Sequence, residues 1–331
     1  MVSVQCKINF NQLQTFFESS MSTDLSMFTL PSGITFIERG WLSSNNILIK
    51  DHANAVLVDT GYWTHAEQTL ALVQHHLNEQ PLNTIINTHL HSDHCGGNAL
   101  LQNSCKTIAI LVPSGHSAFV KNWNPNVLTY EPTGQYCPPF QNTGILTDRS
   151  EFTINDSPWR CYSAPGHDPH SLIIFNEEDG ILISADALWE NGFGVVFPEI
   201  EGIKAFDDVE STLQLIEELK PNLIFPGHGK MFVDLSSALK RARSRLKQFR
   251  SAPDKHGAYA AKVLLKFKLL ELQKISKSDF DIWAENVSYL RILHKTYAPT
   301  QTYLKWIEEL CISLEKSNAC TIDEKFIYNT N

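Results

Sequence analysis

Short apolar runs separated by polar turns dominate the first two thirds of the chain. The run 55–59 is a typical example: it is apolar and β-branched and ends at Asp59, Thr60 and Gly61, which predicts a buried strand. The segment 66–78 follows with the apolar spacing of an amphipathic helix. The same criteria predict strands at 34–37, 46–50, 84–87, 107–112, 152–154, 159–163, 171–175, 181–184 and 223–225, and helices starting at 97 and over 114–123 and 206–219.

Beyond residue 234 the pattern is that of helices alone. Apolar residues spaced by four and three positions, from Leu235 to Phe249, lie on one helix face. Further helices are predicted at 257–275, 279–295 and 299–316, whereas 124–144, rich in Pro, Asn and Thr, is predicted to be a long loop. We therefore expect two parts, a mixed α/β catalytic domain over 1–233 and an all-helical extension over 234–331.

Composition narrows the class of protein. A chain of 331 residues with 43% hydrophobic content builds a sizeable core without disulfides and is not a disordered chain. The net charge of −9 disfavours nucleic acid as a partner. The first twelve residues lack the apolar run of a signal peptide, and no apolar stretch is long enough to span a membrane. Seven scattered cysteines without a CxxC pair predict free thiols in the cytoplasm.

The strongest chemical signal is the segment 87–97, NTHLHSDHCGG. His89, His91, Asp93 and His94 form HxHxDH directly after a predicted strand. Neutral imidazoles with one carboxylate suit Zn²⁺ or Fe²⁺ better than Mg²⁺. A cluster of surface histidines is the alternative interpretation. Cys95, beside these residues, is interpreted as a small buried thiol and not as a nucleophile.

Three further candidate ligands each follow a predicted strand. They are His167 in PGHD, Asp186 in SAD and His228 in PGHG. Each one alone is typical of an ordinary turn. Their occurrence in this order behind HxHxDH indicates that they complete one metal site.

With these motifs the sequence resembles the metallo-β-lactamase-fold hydrolases over about residues 30–235. The resemblance implies a four-layer αββα sandwich with a dinuclear metal centre between two stacked sheets. It implies one metal ion on His89, His91 and His167, and a second on Asp93, His94 and His228, with Asp186 bridging the two. It also implies that Asp59 supports the site from outside the ligand set, although an ordinary turn Asp is the alternative.

The departures from the family pattern bear on function. Asp186 stands where the true β-lactamases have Cys or Ser, which is similar to the thioesterase, lactonase and phosphodiesterase branches. His170 stands where the family often has Gly, and it is either a polar group at the metal rim or an exposed turn residue. The helical addition resembles that of hydroxyacylglutathione hydrolases.

The resemblance implies a metal-dependent hydrolase that cleaves a thioester, ester or lactone of a small anionic substrate. Its nucleophile would be a hydroxide bridging two divalent ions and oriented by Asp93. Zn²⁺ is the favoured metal, and Fe or Mn fits the same ligands. The alternatives are a persulfide dioxygenase with a single iron, a ribonuclease or phosphodiesterase of the same fold, and a scaffold without catalysis.

Two features bear on the substrate and on assembly. The helix over 235–250 carries basic residues that form either a solvated face or a dock for an anionic substrate or RNA: Lys240, Arg241, Arg243, Arg245, Lys247 and Arg250. The aromatic candidates for the wall of the cleft, or alternatively for the core, are Tyr62, Trp63, Trp123, Trp189 and Phe193. The apolar helices over 257–316 could bury a homodimer interface.

Overall fold

Two β-sheets form the centre of the molecule in a computed structural model, which describes residues 30–330. The elements from Gly33 onward belong to one compact unit. The first sheet contains, side by side in this order, β1 (Ile34–Ile37), β2 (Asn46–Lys50), β3 (Ala55–Val58), β4 (Thr84–Ile86), β5 (Ala109–Pro113) and β6 (Gly144–Leu146). The second contains, also side by side in chain order, β7 (Glu151–Ile154), β8 (Ser157–Ser163), β9 (Leu172–Asn176), β10 (Ile181–Ala185) and β11 (Leu223–Pro226). Strands β3 to β6 are parallel, as are β10 and β11, and all other neighbours are antiparallel.

Helices cover the outer face of each sheet. In this part of the chain they are α1 (Ala66–Leu77), α2 (Ser92–Cys95), α3 (Asn98–Ser104), α4 (Ser117–Lys121), α5 (Phe197–Ile200) and α6 (Phe206–Leu219). Leu57 of the first sheet packs with Val73 of α1, and Leu182 of the second sheet packs with Leu213 of α6. The two inner faces meet, because the rings of Phe36 and Phe225 lie 5.2 Å apart. The predicted αββα sandwich is therefore confirmed.

The C-terminal part contains the predicted helices; the first packs against the second sheet, and the last four share an apolar core. They are α7 (Leu235–Ser251), α8 (Pro253–Leu272), α9 (Lys277–Asn286), α10 (Ser288–Tyr297) and α11 (Tyr303–Lys316). Leu265, Leu290 and Ile307 are buried together with Val195 and Ile200, which precede α6. The helical extension is thus present, and its boundary at residues 233 and 234 stays a prediction.

The C-terminal part also contains a small antiparallel sheet that the sequence did not predict. Its strands lie in the order β12 (Lys274–Ser276), β14 (Phe326–Asn329), β13 (Cys320–Ile322). Each strand has only three or four residues, too few to show an alternating pattern. The strands β13 and β14 form a short hairpin, and β14 also pairs with β12, some fifty residues earlier, a pairing that no local signal reports.

The helix predicted over 279–295 is two helices, broken at Val287. Val287 has an extended backbone and a buried side chain. Two residues further on, the amide of Tyr289 donates to the carbonyl oxygen of Pro132 and not to a helical partner, with N and O 3.1 Å apart. The 124–144 loop therefore packs into the break, where Trp283 Nε1 also donates to the carbonyl oxygen of Gly134. A tertiary contact, which periodicity does not report, interrupts the helix.

The cysteines and the lengths of the helices bear on two expectations from the sequence. The six cysteines of residues 30–330 are free thiols, as predicted, while Cys6 and the segment 1–12 lie outside that range. Within the same range no helix combines the length and the apolar character needed to cross a bilayer.

Candidate metal centre

Loops at the carboxyl ends of strands in both sheets carry the predicted ligands. In chain order these residues, which we call the seven-residue cluster, are His89, His91, Asp93, His94, His167, Asp186 and His228. The first four follow β4, and the others follow β8, β10 and β11. Because β8, β10 and β11 run in the same direction, their carboxyl ends share one edge of the second sheet. The structure brings all seven side chains together, and six of them are buried, with Asp93 half-buried.

Three imidazoles form the first group within the cluster. His167 Nε2 lies 2.8 Å from His91 Nδ1 and 3.2 Å from His89 Nε2. Burial lowers the pKa of all three rings, that of His91 to about 3, so the rings are neutral at pH 7. Neutral imidazoles are the form that binds metal ions.

On His167 and His89 the ring proton lies on the side that faces away from the group. His167 Nδ1–H donates to the carbonyl oxygen of Val195 over 2.6 Å, which leaves its Nε2 without a proton. Thr88 Oγ1 donates to Asp59, so it accepts from His89 Nδ1 and leaves His89 Nε2 unprotonated as well. Two lone pairs therefore face each other across 3.2 Å. A cation between them would turn this repulsive contact into coordination.

Asp93, His94 and His228 form the second group. His228 Nε2 lies 3.2 Å from Asp93 Oδ2. His94 Nε2 is buried and has no hydrogen-bond partner. Burial disfavours the His94 imidazolium, but the carboxylates of Asp59 and Asp186 outweigh it and raise the pKa of His94 well above its ordinary value. The pocket thus stabilises positive charge at His94, which a metal ion would supply in place of a proton.

Asp186 lies between the two groups. Its Oδ2 is 3.4 Å from His167 Nε2 in the first group. Its Oδ1 is 3.5 Å from His94 Nε2 and 3.8 Å from His228 Nε2 in the second. Burial alone would raise the pKa of this carboxyl, yet the surrounding histidines hold it well below the usual range, so it stays ionised. One carboxylate therefore presents one oxygen to each group.

Asp59 contacts the cluster directly through His94 and indirectly through Thr88. Its Oδ2 accepts hydrogen bonds from His94 Nδ1 and Thr88 Oγ1 at 2.7 and 2.8 Å, and its Oδ1 accepts from the Thr88 amide at 2.9 Å. The residue is buried and has a left-handed backbone with φ of 58°. Such strain in a residue other than glycine is typical of a functional position. The bond fixes the orientation and tautomer of His94, as outer carboxylates do for metal-binding histidines.

Close packing at the second sheet's edge requires a glycine at position 227. A Cβ built there would lie 2.2 Å from Asp186 Oδ1 and 3.0 Å from His94 Cε1. The PGHG motif therefore places His228 and also leaves room for the carboxylate of Asp186. The role of this glycine could not be read from the motif alone.

Other predicted residues lie at the border of the cluster or away from it. His170 contacts His116, with ring centroids 4.4 Å apart, and its amide donates to Asp168. Asp168, which the sequence did not single out, has Oδ2 3.8 Å from His91 Nε2. Cys95 is a fully buried thiol, and burial raises its pKa well above the ordinary value. It is a neutral group that contacts Tyr130.

The aromatic candidates divide into two sets. Tyr62, Trp123 and Phe193 pack within the protein core. Trp63 and Trp189 lie beside the cluster, together with Trp41 and Tyr136, which the sequence did not indicate. Trp41 lies in the loop after β1 and Tyr136 in the 124–144 loop, and neither belongs to a motif.

Most of the basic residues of α7 bind other parts of the protein. Arg241 and Arg245 donate to the carbonyl oxygens of Glu190 and Phe193. Arg243 pairs with Glu210 and Glu217, and Arg250 pairs with Asp207. These arginines attach α7 to α6 and to the segment after β10. This role differs from both sequence interpretations, a solvated face and a dock for an anionic substrate or RNA.

Several known proteins are similar to this chain in sequence. A 22–28% sequence identity connects the chain to a beta-lactamase-like protein 2 homolog of Drosophila melanogaster (28% over 57% of this chain), a hydroxyacylglutathione hydrolase of Idiomarina loihiensis (25% over 57%) and the thioesterase pkgB of Emericella nidulans (22% over 60%). The chain spans 59%, 62% and 49% of the lengths of these relatives, in that order.

Solved structures show the same fold. A metallo-beta-lactamase family protein of Thermus thermophilus matches 91% of this chain and 99% of its own, with 18% identity and a TM-score of 0.55. A metallo-beta-lactamase of Cronobacter sakazakii matches 68% of this chain and 94% of its own, with 14% identity and a TM-score of 0.54. The family model of the metallo-beta-lactamase superfamily matches residues 39–228, from the loop after β1 to the last histidine of the cluster. The chain belongs to the metallo-beta-lactamase superfamily.

Proposed function

We propose that the chain is a metal-dependent hydrolase whose seven-residue cluster holds two divalent ions and which cleaves a thioester, ester or lactone. The observation that carries this proposal is the position of Asp186, with one carboxylate oxygen toward each group of ligands. His89, His91 and His167 would hold one ion, and Asp93, His94 and His228 the other. When bound, such ions polarise an ester carbonyl and lower the pKa of water from about 15.7 toward 7.

The donor set favours zinc. Five imidazoles and two carboxylates are a set that suits Zn²⁺, and also Fe²⁺ or Mn²⁺, better than Mg²⁺. The hydrogen bonds from His167 to Val195 and from His94 to Asp59 orient the rings before any ion arrives. Such preorganisation raises affinity because less side-chain freedom is lost on binding.

Asp93 is suited to orient the attacking water. Its side chain is the most exposed carboxylate of the cluster at 14%. Burial raises the pKa of Asp93, but His228 and His94 outweigh that effect and keep the carboxyl ionised. An ionised carboxylate accepts a hydrogen bond from water and holds its oxygen toward the acyl carbon. In a thioester the water oxygen then bonds to that carbon, the C–S bond breaks, and the thiol leaves with a proton.

The named relatives favour this reaction class. A hydroxyacylglutathione hydrolase and a protein named thioesterase are similar to this chain over 57% and 60% of its length. We therefore place thioesters first among the candidate substrates, and esters and lactones next.

The proposal assigns different tasks to the two predicted parts. Residues 1–233 would form the catalytic domain, and the extension 234–331 would close over the cleft. Phe197 supports this division, because its ring contacts His91 at 4.7 Å and Tyr289 of α10 at 6.0 Å. One side chain thus joins the first group of ligands to the extension.

Metal content tests the proposal directly. Elemental analysis of protein purified without added metal is expected to give about two zinc ions, or zinc with iron, per chain. Asp186→Ala and His94→Ala should each lower that content toward one, whereas the exposed Asp208→Ala, a matched carboxylate removal on α6, should leave it unchanged. Hydrolysis of a thioester panel should fall with the metal content.

Two outcomes contradict the proposal in different ways. A single iron per chain that His94→Ala does not affect would favour persulfide oxidation by one iron. A folded protein that binds no metal at all would favour a scaffold role.

A further inference from the structure

Two pairs of aromatic side chains border the seven-residue cluster, and together we call them the aromatic rim. The first pair is Trp41 and Trp189. The Trp41 ring lies parallel to that of His228, with an interplanar angle of 3° and centroids 5.4 Å apart. Trp189 meets both rings edge-on at 5.4 and 5.5 Å, and its Nε1 donates to Asp186 Oδ1 over 3.2 Å. This pair therefore lies against the second group of ligands.

The second pair is Trp63 and Tyr136, in edge-to-face contact at 5.1 Å. It lies beside α2, which carries Asp93. Gly96 at the end of α2 is so close to Trp63 that a Cβ there would lie 2.5 Å from the Trp63 amide nitrogen. Gln135, next to Tyr136, accepts a hydrogen bond from Ser92 Oγ over 2.5 Å. The two pairs thus adjoin the two elements that carry Asp93 and His228.

The rim is unusually exposed for aromatic side chains. Trp41, Tyr136 and Trp63 are 56%, 52% and 37% exposed, and they are the three most exposed Phe, Trp or Tyr side chains within residues 30–330. Exposed apolar surface in one place is costly in water and marks a binding site. Trp41 contacts the candidate ligand His228, and Trp63 and Tyr136 lie beside α2, which carries Asp93.

The geometry of Trp41 selects a flat ligand. One face of its indole is covered by the His228 imidazole, and its overall exposure of 56% shows that the remaining surface is open. An aromatic ring placed on an indole face gains offset stacking in addition to burial of apolar area. A saturated ring of the same size gains the burial but not the stacking.

The alternative of an anionic arm docking on α7 has lost its main support. Four of the six basic residues of that helix are engaged by backbone carbonyls or carboxylates of the protein itself. The exposed aromatic side chain of Trp41, which contacts His228, is therefore the stronger candidate for substrate recognition.

We propose that the substrate carries an aromatic or similarly flat acyl group that stacks on Trp41 within the aromatic rim. This inference rests on the proposed hydrolase function and names the substrate class of the same site. The ring of the acyl group would contact Trp41, and its carbonyl would lie toward Asp93 and His228.

Matched thioesters test the inference. Phenylacetyl and cyclohexylacetyl thioesters of one thiol differ in the flatness of the ring, while a methylene separates the ring from the reacting carbonyl. With the purified full-length metal-containing enzyme, the ratio of kcat/KM for the phenyl over the cyclohexyl substrate should fall about two- to tenfold in Trp41→Leu. Trp41→Phe should retain the wild-type ratio, and so should Ile282→Ala, which removes an equally exposed apolar side chain on α9.

A binding measurement provides a readout that is independent of turnover. Phenylacetate and cyclohexylacetate are titrated into the full chain by calorimetry. Trp41→Leu should weaken phenylacetate binding about two- to tenfold and leave cyclohexylacetate binding unchanged. This pattern would support the inference even if neither thioester were hydrolysed, in which case only the proposed reaction would fail.

Two results would overturn the inference. One is efficient hydrolysis of both thioesters with a ratio that Trp41→Leu does not change, which would leave the hydrolase proposal intact. The other is binding of uridine or adenosine monophosphate, but not of phenylacetate, that depends on Trp41. That result would assign the rim to nucleobases and favour the ribonuclease alternative.

Discussion

Burial of side chains lowers the stability of the protein in the seven-residue cluster and raises it in the C-terminal helical core. The cluster buries ionisable groups next to two residues with strained backbones, Asp59 and Ala185, whose φ angles are 58° and 46°. The C-terminal core buries aliphatic side chains such as Leu265 on regular helices. Burial of charge and left-handed backbone lowers stability, whereas aliphatic burial raises it. The comparison indicates that the stabilising contribution of the helical core offsets the destabilising contribution of the cluster.

Leu265→Ala should have the largest effect on stability. Leu265 is completely buried in α8, so its truncation leaves a cavity and should lower the free energy of unfolding by about 2–5 kcal/mol. Urea denaturation followed by circular dichroism measures this change. Leu304→Ala, which removes an exposed leucine from α11, should cost less than about 0.5 kcal/mol. Equal losses for the two variants would show that the helical core is not a source of stability.

Gly227→Ala should affect the cluster and leave the helical core intact. The new methyl group would lie 2.2 Å from Asp186 Oδ1, so the carboxylate must move away from both groups of ligands. We expect metal affinity to fall up to about a hundredfold, as for other changes that displace ligand orientation. Competition with a chromophoric chelator measures the affinity. Gly40→Ala is the matched control, because a Cβ at that glycine meets open space; an equal loss there would refute the steric explanation.

Asp59→Asn should reduce metal affinity less, by about tenfold or more. The amide keeps the size of the side chain but removes the charge that holds His94 Nδ1–H at 2.7 Å. The chelator competition used for Gly227 applies here too. Asp51→Asn, which changes a half-buried turn aspartate after β2, is the control. Wild-type affinity in Asp59→Asn would show that Asp59 is an ordinary turn residue.

Lys220→Gly should have the smallest effect, and of the opposite sign. Lys220 ends α6 with a φ of 51°, a conformation that glycine adopts without strain, and it lies away from the cluster. We expect stability to rise by about 0.5 kcal/mol with unchanged metal content. Lys240→Gly, at an exposed position within α7, should instead lower stability by about 1 kcal/mol. A loss of stability in both variants would show that the strain at Lys220 is not a net cost.

The same contrast explains what could be predicted from the sequence. The ligand positions follow from short motifs at strand ends, because a strand places the residue after it at a fixed edge of its sheet. His89, His167 and His228 were therefore expected next to each other although they are distant in the chain. The metal-binding roles of these residues remain predictions until metal content is measured.

The C-terminal part could be predicted less completely. Apolar periodicity indicates helices, but the break at Val287 depends on Pro132, which lies far away in the sequence. The strand β12 depends on pairing with β14, about fifty residues later in the chain. For the same reason Trp41 and Tyr136 were missed at the rim: loop residues become neighbours only through tertiary contacts.

The attachment of the 124–144 loop to the C-terminal helices determines when this loop becomes fixed during synthesis of the chain. All seven cluster residues have been synthesised once His228 is added, yet the loop beside them is fastened at Pro132 and Gly134 by Tyr289 and Trp283. Those partners emerge from the ribosome about 60 residues later, which at about 5–20 residues per second is a delay of several seconds. During that interval the 124–144 loop lacks the two hydrogen bonds that hold it in the finished protein.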